Sequence, residues 1–297
     1  MHLRCALLLL TVTLGTGRSM AQAAPAAQTP APTATDWALI ERVLGRAPTE
    51  TDDVRKVTFP RADIRAFVGK TALMPAAAMT SWMAFRQGPS NVVTHGDLVV
   101  LSSEMPGVMD ALLAHGFEVS GVHNHLAGER PQLMYVHFFA QGQLPALVAG
   151  LKAALGATAT PTAPAKPSGG MITYDRKAIE AILGKTGTAS GAVLAFSFPG
   201  SHTVLAHAAK MPAAMGMATV VNFQPAATGV AVTGDFALEE AQVTRVLAAL
   251  RKAEVTVTAV HNHLLDDNPR MVFVHFWAEG KADKLARAIK DGLDAMR

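Results

Sequence analysis

The stretch GVHNHLAGERPQLMYVHFFAQG (residues 121–142) recurs in the same chain as AVHNHLLDDNPRMVFVHFWAEG (residues 259–280). Each copy has a His-Asn-His tripeptide, a polar loop with a proline, and a β-branched and aromatic run that contains a third histidine. Strand-like runs on both sides of such a loop predict a β-hairpin. The chain therefore carries one hairpin twice, at an offset of 138 residues (261 − 123).

The repetition extends well beyond the hairpin and keeps its order. The same offset pairs Phe85 with Phe223 and Gly96-Asp97 with Gly234-Asp235, and a shift of one residue pairs Leu44-Gly45 with Leu183-Gly184 and Met74-Pro75 with Met211-Pro212. An ordered series of this kind indicates a tandem duplication, and a unit of this length is a domain rather than a solenoid repeat.

Hydrophobic spacing predicts the same elements in both halves. The predicted helices cover residues 36–44, 105–114 and 144–155, then 174–183, 238–253 and 281–296. The predicted strands before each hairpin cover 54–59, 79–86 and 92–100, then 192–198, 219–224 and 229–233. We predict an α+β fold of two tandem homologous domains, each a mainly antiparallel sheet with helices packed on it. The two domains are expected to pack pseudo-symmetrically within one chain.

The domain boundaries follow from composition. The N-terminus has the basic residue Arg4, an apolar run and the small-residue pattern Ala21-Gln22-Ala23, which together are typical of a signal peptide. Two Pro/Ala-rich stretches are typical of flexible segments. We predict a signal peptide at 1–23, a tether at 24–35, repeat domain 1 at 36–155, a linker at 156–170 and repeat domain 2 at 171–297.

Export and partner class are also expected from composition. The single cysteine, Cys5, lies too early to be lipidated at the cleavage site, so we expect a periplasmic or secreted protein without a lipid anchor. No run after the signal is long enough to span a bilayer. The net charge of +3 without a Lys/Arg cluster argues against nucleic acid as a partner. A small-molecule ligand is compatible with this composition.

The hairpin histidines are the candidate site. Alternate residues of a strand share a face, so His123 and His125 are expected to point the same way. With a turn centred near Pro131, His125 would lie opposite His137 and the three imidazoles would converge on one point. The second copy predicts the same for His261, His263 and His275. Asn124 and its counterpart Asn262 point to the other face and are expected to tie down the turn.

Three neutral imidazoles with an open position suit a divalent transition metal such as zinc, iron, copper or nickel. A water bound there becomes a nucleophile near neutral pH, as in metal-dependent hydrolases and lyases of small molecules. Glu104 is the candidate catalytic carboxylate, although its counterpart is Gln242. Asp97 and Asp235 are interpreted as turn or cap residues. Whether the protein is an enzyme stays open.

An alternative hypothesis needs no metal. The histidines would then form a hydrogen-bonded polar network in the core of a non-catalytic periplasmic binding or envelope-structural module. Metal storage without chemistry is a third hypothesis and uses the same ligands as the first.

At HNHLLDDNPRMVFVHFWAEG and the following KADKLARAIKDGL, the sequence resembles the LppY/LpqO family of exported bacterial proteins. The resemblance covers the chain after the signal, including the duplication and the Gly-Asp pair. It implies export and a tandem domain of unknown function. It implies no activity.

Overall fold

The computed structural model describes residues 34–164 and 170–297, and the two repeats contain matching elements in the same order. The first repeat contains α1 (Ala38–Leu44), β1 (Thr49–Thr51), β2 (Val54–Pro60), β3 (Phe67–Val68), β4 (Thr71–Ala72), α2 (Pro75–Ala78), β5 (Thr80–Gln87), β6 (Val92–Leu101), α3 (Met105–Ala114), β7 (Glu118–His123), β8 (Glu129–Arg130), β9 (Leu133–Gly142) and α4 (Leu144–Gly156). The second contains α5 (Arg176–Leu183), β10 (Thr188–Ser190), β11 (Val193–Pro199), β12 (Val204–Ala206), β13 (Ala209–Met211), a 3-10 turn (Ala213–Met215), β14 (Ala218–Pro225), β15 (Val230–Glu239), α6 (Glu240–Lys252), β16 (Thr256–His261), β17 (Asp267–Asn268), β18 (Met271–Gly280) and α7 (Ala282–Asp294).

Each repeat forms a six-stranded antiparallel sheet. The strand order is β1-β2-β5-β6-β9-β7 in the first repeat and β10-β11-β14-β15-β18-β16 in the second. Each repeat also has a three-stranded sheet, with the orders β4-β3-β8 and β13-β12-β17. The predicted fold class, two tandem domains with mainly antiparallel sheets and packed helices, is confirmed.

The helices of each repeat cover one face of its own large sheet. In the first repeat, the apolar stripes of α1, α3 and α4 bury side chains such as Ile40, Leu112 and Leu151 against Phe59 and Phe85 of the sheet. In the second, α5, α6 and α7 do the same, with Ile179, Leu250 and Ile289 against Phe196, Phe223 and Phe276. The opposite face of each sheet is left for the other repeat.

The helix predicted at 238–253 begins later than expected. The strand β15 continues to Glu239, because Leu238 is buried and pairs with Val272 of β18. Glu239 and Gln242 then form a capping box, in which each side chain accepts a hydrogen bond from the backbone of the other residue. The apolar periodicity that starts at Leu238 therefore belongs first to a strand and only then to a helix.

A segment of the first repeat lies on the sheet of the second. The amide of Gln224 accepts a hydrogen bond from the backbone N–H of Met74 (2.9 Å) and donates one to the carbonyl of Ala72 (2.8 Å). Asn222 donates to the carbonyl of Ala77 (2.8 Å). The Met-Pro segment around α2 of the first repeat is therefore hydrogen-bonded to β14 of the second repeat. The same Met-Pro pair recurs in the second repeat.

The second repeat makes a corresponding contact with the sheet of the first. Its 3-10 turn contacts β2 and β5, and Gly216 after the turn has a φ of 85° and lies directly against the ring of Trp82. A Cβ at Gly216 would lie 2.6 Å from that ring, so the close approach requires glycine. Two apolar clusters draw on both repeats, and residues 36–297 form one compact unit.

Several predicted segments fall outside the described residues. The predicted signal peptide (1–23), most of the tether (24–35) and residues 165–169 of the linker are among them. The first part of the linker is held against repeat 1, because the guanidinium of Arg46 donates to the carbonyls of Pro161 (2.9 Å) and Thr162 (3.2 Å). The domain boundaries themselves stay predictions.

Candidate metal centre

The third histidine of each hairpin lies in the middle of its sheet. His137 in β9 stands between Asp97 of β6 on one side and Gly121 of β7 on the other. A Cβ at Gly121 would lie 3.2 Å from the His137 ring, so the small residue leaves room for the imidazole. His275 lies in the matching place in the second sheet, with Asp235 of β15 opposite it on one side and Ala259 of β16 on the other.

The predicted register of the hairpin was wrong. His125 does not lie opposite His137, because β7 ends at His123 and has a bulge between Val119 and Gly121. The connection to β9 is also longer than a tight turn, since it contains β8, which pairs with β3. His125 follows the strand and stacks on the Tyr135 ring, with centroids 3.3 Å apart.

The six histidines meet across the boundary between the repeats. Each ring stacks on, or tilts against, a ring of the other repeat. The ring centroids are 3.6 Å apart for His123 and His261, 3.8 Å for His125 and His275, and 4.1 Å for His137 and His263. Since His123 corresponds to His261, His125 to His263 and His137 to His275, these three contacts obey a local two-fold symmetry.

In the part of the chain that the structure describes, four groups of three side chains have donor atoms that all lie within 4.8 Å of one another and could hold a metal ion. They are His123/His125/His275, His123/His137/His261, Asp97/His125/His137 and Asp235/His261/His263. None of these groups in the described chain consists of the three histidines of a single hairpin. The three histidines of each hairpin were expected to converge on one point within that hairpin. Instead, the histidines of both hairpins form one cluster that the two repeats share.

The Gly-Asp residues belong to the cluster, whereas the sequence interpretation placed them in turns or caps. Asp97 lies in β6, and its carboxylate is 3.4 Å from Nε2 of His125 and 3.8 Å from Nδ1 of His137. Asp235 lies in β15, 3.2 Å from Nε2 of His263. The recurrence of Gly-Asp at the 138-residue offset was a signal for these positions.

Reciprocal hydrogen bonds hold the histidine loops in place. The hydroxyl of Ser120 donates to the backbone carbonyl of His263, and the hydroxyl of Thr258 donates to that of His125 (2.5 Å). Ser120 and Thr258 occupy equivalent positions, 138 residues apart (258 − 120). Each repeat therefore positions a histidine that belongs to the other.

The two asparagines have the role expected from the sequence. The amide of Asn124 donates to the carbonyl of Leu133 (3.0 Å), and that of Asn262 donates to Met271 (2.8 Å). Both tie the end of the first hairpin strand to the start of the second.

Burial favours the neutral form of five imidazoles in the cluster. Burial, with a further contribution from neighbouring imidazoles, lowers the pKa of His125, His137, His263 and His275 well below its usual value. Burial also lowers the pKa of His261 to about 4. A neutral imidazole has a free lone pair on one ring nitrogen, which is the form that binds metals.

Many polar atoms in the cluster have no hydrogen-bond partner among the described residues. The buried atoms concerned are Nε2 of His125, His261, His263 and His275, Nδ1 of His137 and His263, and Oδ1 of Asp97 and Asp235. Buried polar atoms in proteins are nearly always satisfied, and each exception costs about 1–3 kcal/mol. A set of lone pairs facing one another across a buried boundary has the donor chemistry of a metal site.

Two further residues at the cluster, His95 and Lys56, were not predicted from the sequence. His95 is fully buried, with both ring nitrogens unpaired among the described residues, and burial followed by the charge of Lys56 lowers its pKa to about 3. Its counterpart is Thr233, so the duplication gave no signal for it. Burial lowers the pKa of Lys56 to about 8, and its ammonium lies 3.9 Å from the centre of the Trp82 ring.

A cavity of about 980 Å³ opens onto the cluster between the two repeats. Four of the six histidines and both aspartates line it, together with Lys56, Trp82 and Asn222. The cavity therefore gives a small molecule a path to the candidate ligands.

Glu104 is not brought to this cavity. Its two carboxylate oxygens bind the guanidinium of Arg61 (2.8 and 3.0 Å) and accept from the backbone N–H groups of Leu101 and Ala159 (2.8 Å each). Burial raises its pKa, but the hydrogen bonds from Arg61 and the backbone outweigh this and hold the pKa below its usual value. Gln242 accepts the matching hydrogen bond from the backbone N–H of Glu239, three residues before it. Both side chains supply the oxygen that this bond needs, so one repeat can have glutamate and the other glutamine at this position.

None of the helices in the described ranges is long and apolar enough to cross a membrane. Among curated proteins, no match was found. Among solved structures, the crystal structure of EtuB from Clostridium kluyveri is similar at 10% identity, over 84% of this chain and 90% of that one, with a TM-score of 0.20. A similarity this low bears on neither fold nor function.

The family assignment made from the hairpin motif was wrong, because the family that matches is a different one from LppY/LpqO. Its model matches twice, over residues 38–157 and 177–295, and so reproduces the duplication. The chain therefore belongs to the family described as Domain of Unknown Function (DUF1259), of which it contains two copies.

Proposed function

We propose that the protein binds a transition metal ion at the boundary between its repeats, through the shared cluster of histidines and aspartates. The observation that carries the proposal is the set of buried imidazole nitrogens that face one another across this boundary without hydrogen-bond partners in the described chain. Burying such atoms without a hydrogen bond or a bound ion destabilises the fold, and one metal ion would coordinate several of them at once.

The hypothesis of a purely polar core network fits these atoms less well. A histidine network would pair each ring N–H with an acceptor, as His275 Nδ1 does with the carbonyl of Gly234 (3.0 Å). His263, in contrast, has both ring nitrogens buried without a hydrogen bond among the described residues, although its Nε2 lies 3.2 Å from the carboxylate of Asp235. The donor set of imidazoles and carboxylates suits zinc or iron, and no cysteine occurs after Cys5 to favour a soft metal.

The cavity supports a chemical role for the ion. A metal bound by imidazoles polarises a carbonyl or phosphoryl oxygen and lowers the pKa of a bound water. The residues of this chain would hold the ligand beside it: Lys56 and Asn222 line the cavity, and Trp82 forms part of its wall. We infer a metal-dependent hydrolase or lyase that acts on a small molecule, without a role for Glu104.

Metal analysis of protein purified without an affinity tag tests the binding. We expect at least one equivalent of zinc or iron per chain, and its loss in the double variant His137→Ala and His275→Ala. His202→Ala is the matched control, because His202 is exposed and lies outside the cluster. Circular dichroism checks that the variants fold. Wild-type protein that neither contains nor takes up zinc, iron, copper or nickel would support the polar-network hypothesis instead.

Export is a separate part of the proposal and rests on residues 1–23 alone. The basic start, the apolar run and Ala21-Gln22-Ala23 support cleavage and delivery to the periplasm or the medium. N-terminal sequencing of the protein recovered from the periplasmic fraction checks it. A chain that stays in the cytoplasm and begins at Met1 contradicts it.

A further inference from the structure

The duplication provides each kind of candidate ligand twice. Two of the four donor groups have no residue in common, namely Asp97/His125/His137 and Asp235/His261/His263. Each combines one carboxylate with two imidazoles from a single repeat. His123 and His275 belong to neither group. His123 lies close to His125 of the first group and to His261 of the second, so it can complete either, and His275 lies close to His125.

One ion is too few for this set of donors. Zinc in proteins takes four ligands, or five during catalysis, whereas six histidines and two aspartates meet here. Donor atoms bound to one zinc ion at about 2.0–2.2 Å lie at most about 4.4 Å apart. The donor atoms within each group lie within 4.8 Å of one another, which is a few tenths of an ångström above this limit, so small side-chain shifts would bring each group onto one ion.

The unpaired carboxylate oxygens come from equivalent positions of the two repeats. Oδ1 of Asp97 and Oδ1 of Asp235 are both buried without a hydrogen-bond partner in the described part of the chain. A single ion beside Asp97 would leave Oδ1 of Asp235 buried next to neutral imidazoles without a cation. A single ion beside Asp235 would leave only the ammonium of Lys56 to offset the charge of Asp97. The two buried carboxylate oxygens, one from each repeat, therefore argue for one cation beside each aspartate.

We propose that the repeat boundary holds two metal ions, one on the group that contains Asp97 and one on the group that contains Asp235. The proposal rests on the metal binding proposed above and adds the stoichiometry to it. Paired ions are the arrangement found in many enzymes that cleave phosphate esters or peptide bonds.

The charge of such a site indicates the class of ligand. Imidazoles bind metals in the neutral form, so two divalent ions and two carboxylates leave two positive charges, whereas one ion leaves none. Lys56 adds a third at the cavity wall, and its ammonium makes no ion pair with a carboxylate in the described ranges. A site with this net positive charge is suited to a small molecule that carries a carboxylate or a phosphate group.

Titration of the metal-free protein with Co²⁺, followed by its visible absorption and by native mass spectrometry, tests the proposal. We expect saturation at two equivalents per chain for the wild type, and at one for Asp97→Asn and for Asp235→Asn. Wild-type saturation at one equivalent would overturn the pair of ions and leave the proposed function intact. No binding at all would overturn both. The wild-type titration decides this even if a variant fails to fold.

Discussion

The imidazole rings of His123 and His261 stack on each other with their centroids 3.6 Å apart, although 138 residues separate them in sequence (261 − 123). They occupy equivalent positions in the two repeats, so the pair lies on the local two-fold axis. His123 also brings its Nε2 to 2.8 Å from Nε2 of His137. Neither repeat alone could form this centre, because each contributes one half of the pair.

The first prediction follows from this symmetry. His123→Ala and His261→Ala should weaken metal binding by similar factors, each by at least about 10–100-fold, the loss seen even when only a supporting residue of a metal site is removed. Competition with a chelator of known affinity measures the effect, with His202→Ala as the control. A large loss in one variant and none in the other would mean that the two repeats are not equivalent at the centre.

The sequence predicted the fold and the six histidines but not how they come together. The hydrophobic periodicity and the repeat define elements within each copy, and these were largely correct. The contacts across the boundary depend on which face of each sheet meets the other copy, and the local pattern around His123 or His261 does not encode this. Asp97 was misinterpreted because a Gly-Asp pair usually marks a turn, whereas here it lies in a central strand.

The second prediction concerns the reciprocal hydrogen bonds. Ser120→Ala should lower the free energy of unfolding by about 1–3 kcal/mol, because it leaves the carbonyl of His263 without its donor. Thr258→Ala should have a similar effect through the carbonyl of His125. Chemical denaturation measures both, and Ser103→Ala at an exposed position is the control. If both variants unfold like the wild type, these hydroxyls do not hold the histidine loops.

The third prediction separates Glu104 from the site. Glu104→Gln should leave the metal content unchanged, because this carboxylate binds Arg61 and the backbone away from the cavity. Stability should fall by about 3 kcal/mol, since the buried Arg61 loses one of its two acidic partners. Metal analysis and denaturation are measured on the same sample. Loss of metal with unchanged stability would contradict this and would show that Glu104 contributes to metal binding.

The fourth prediction is a pH dependence of the metal-free protein. His125, His137, His263 and His275 have folded-state pKa values well below the usual 6.5, so below that pH the unfolded chain binds more protons than the folded one. Stability should therefore be highest above about pH 7 and should fall on acidification. The loss approaches about 1.4 kcal/mol per pH unit for each histidine that stays neutral. Denaturation at pH 8 and pH 5.5 tests this, and equal stability at the two values would contradict it.

The fifth prediction concerns the anionic ligand. Inorganic phosphate should raise the melting temperature of the protein loaded with two equivalents of metal, because the site then carries excess positive charge. The rise should be smaller in Lys56→Gln, whose amide is polar but carries no charge. Lys185→Gln is the matched control, because Lys185 lines the same cavity and its ammonium lies over the ring of Phe198. Chloride at equal ionic strength separates specific binding from screening. A phosphate effect of equal size in wild type and Lys56→Gln would show that the ions, and not this lysine, hold the anion.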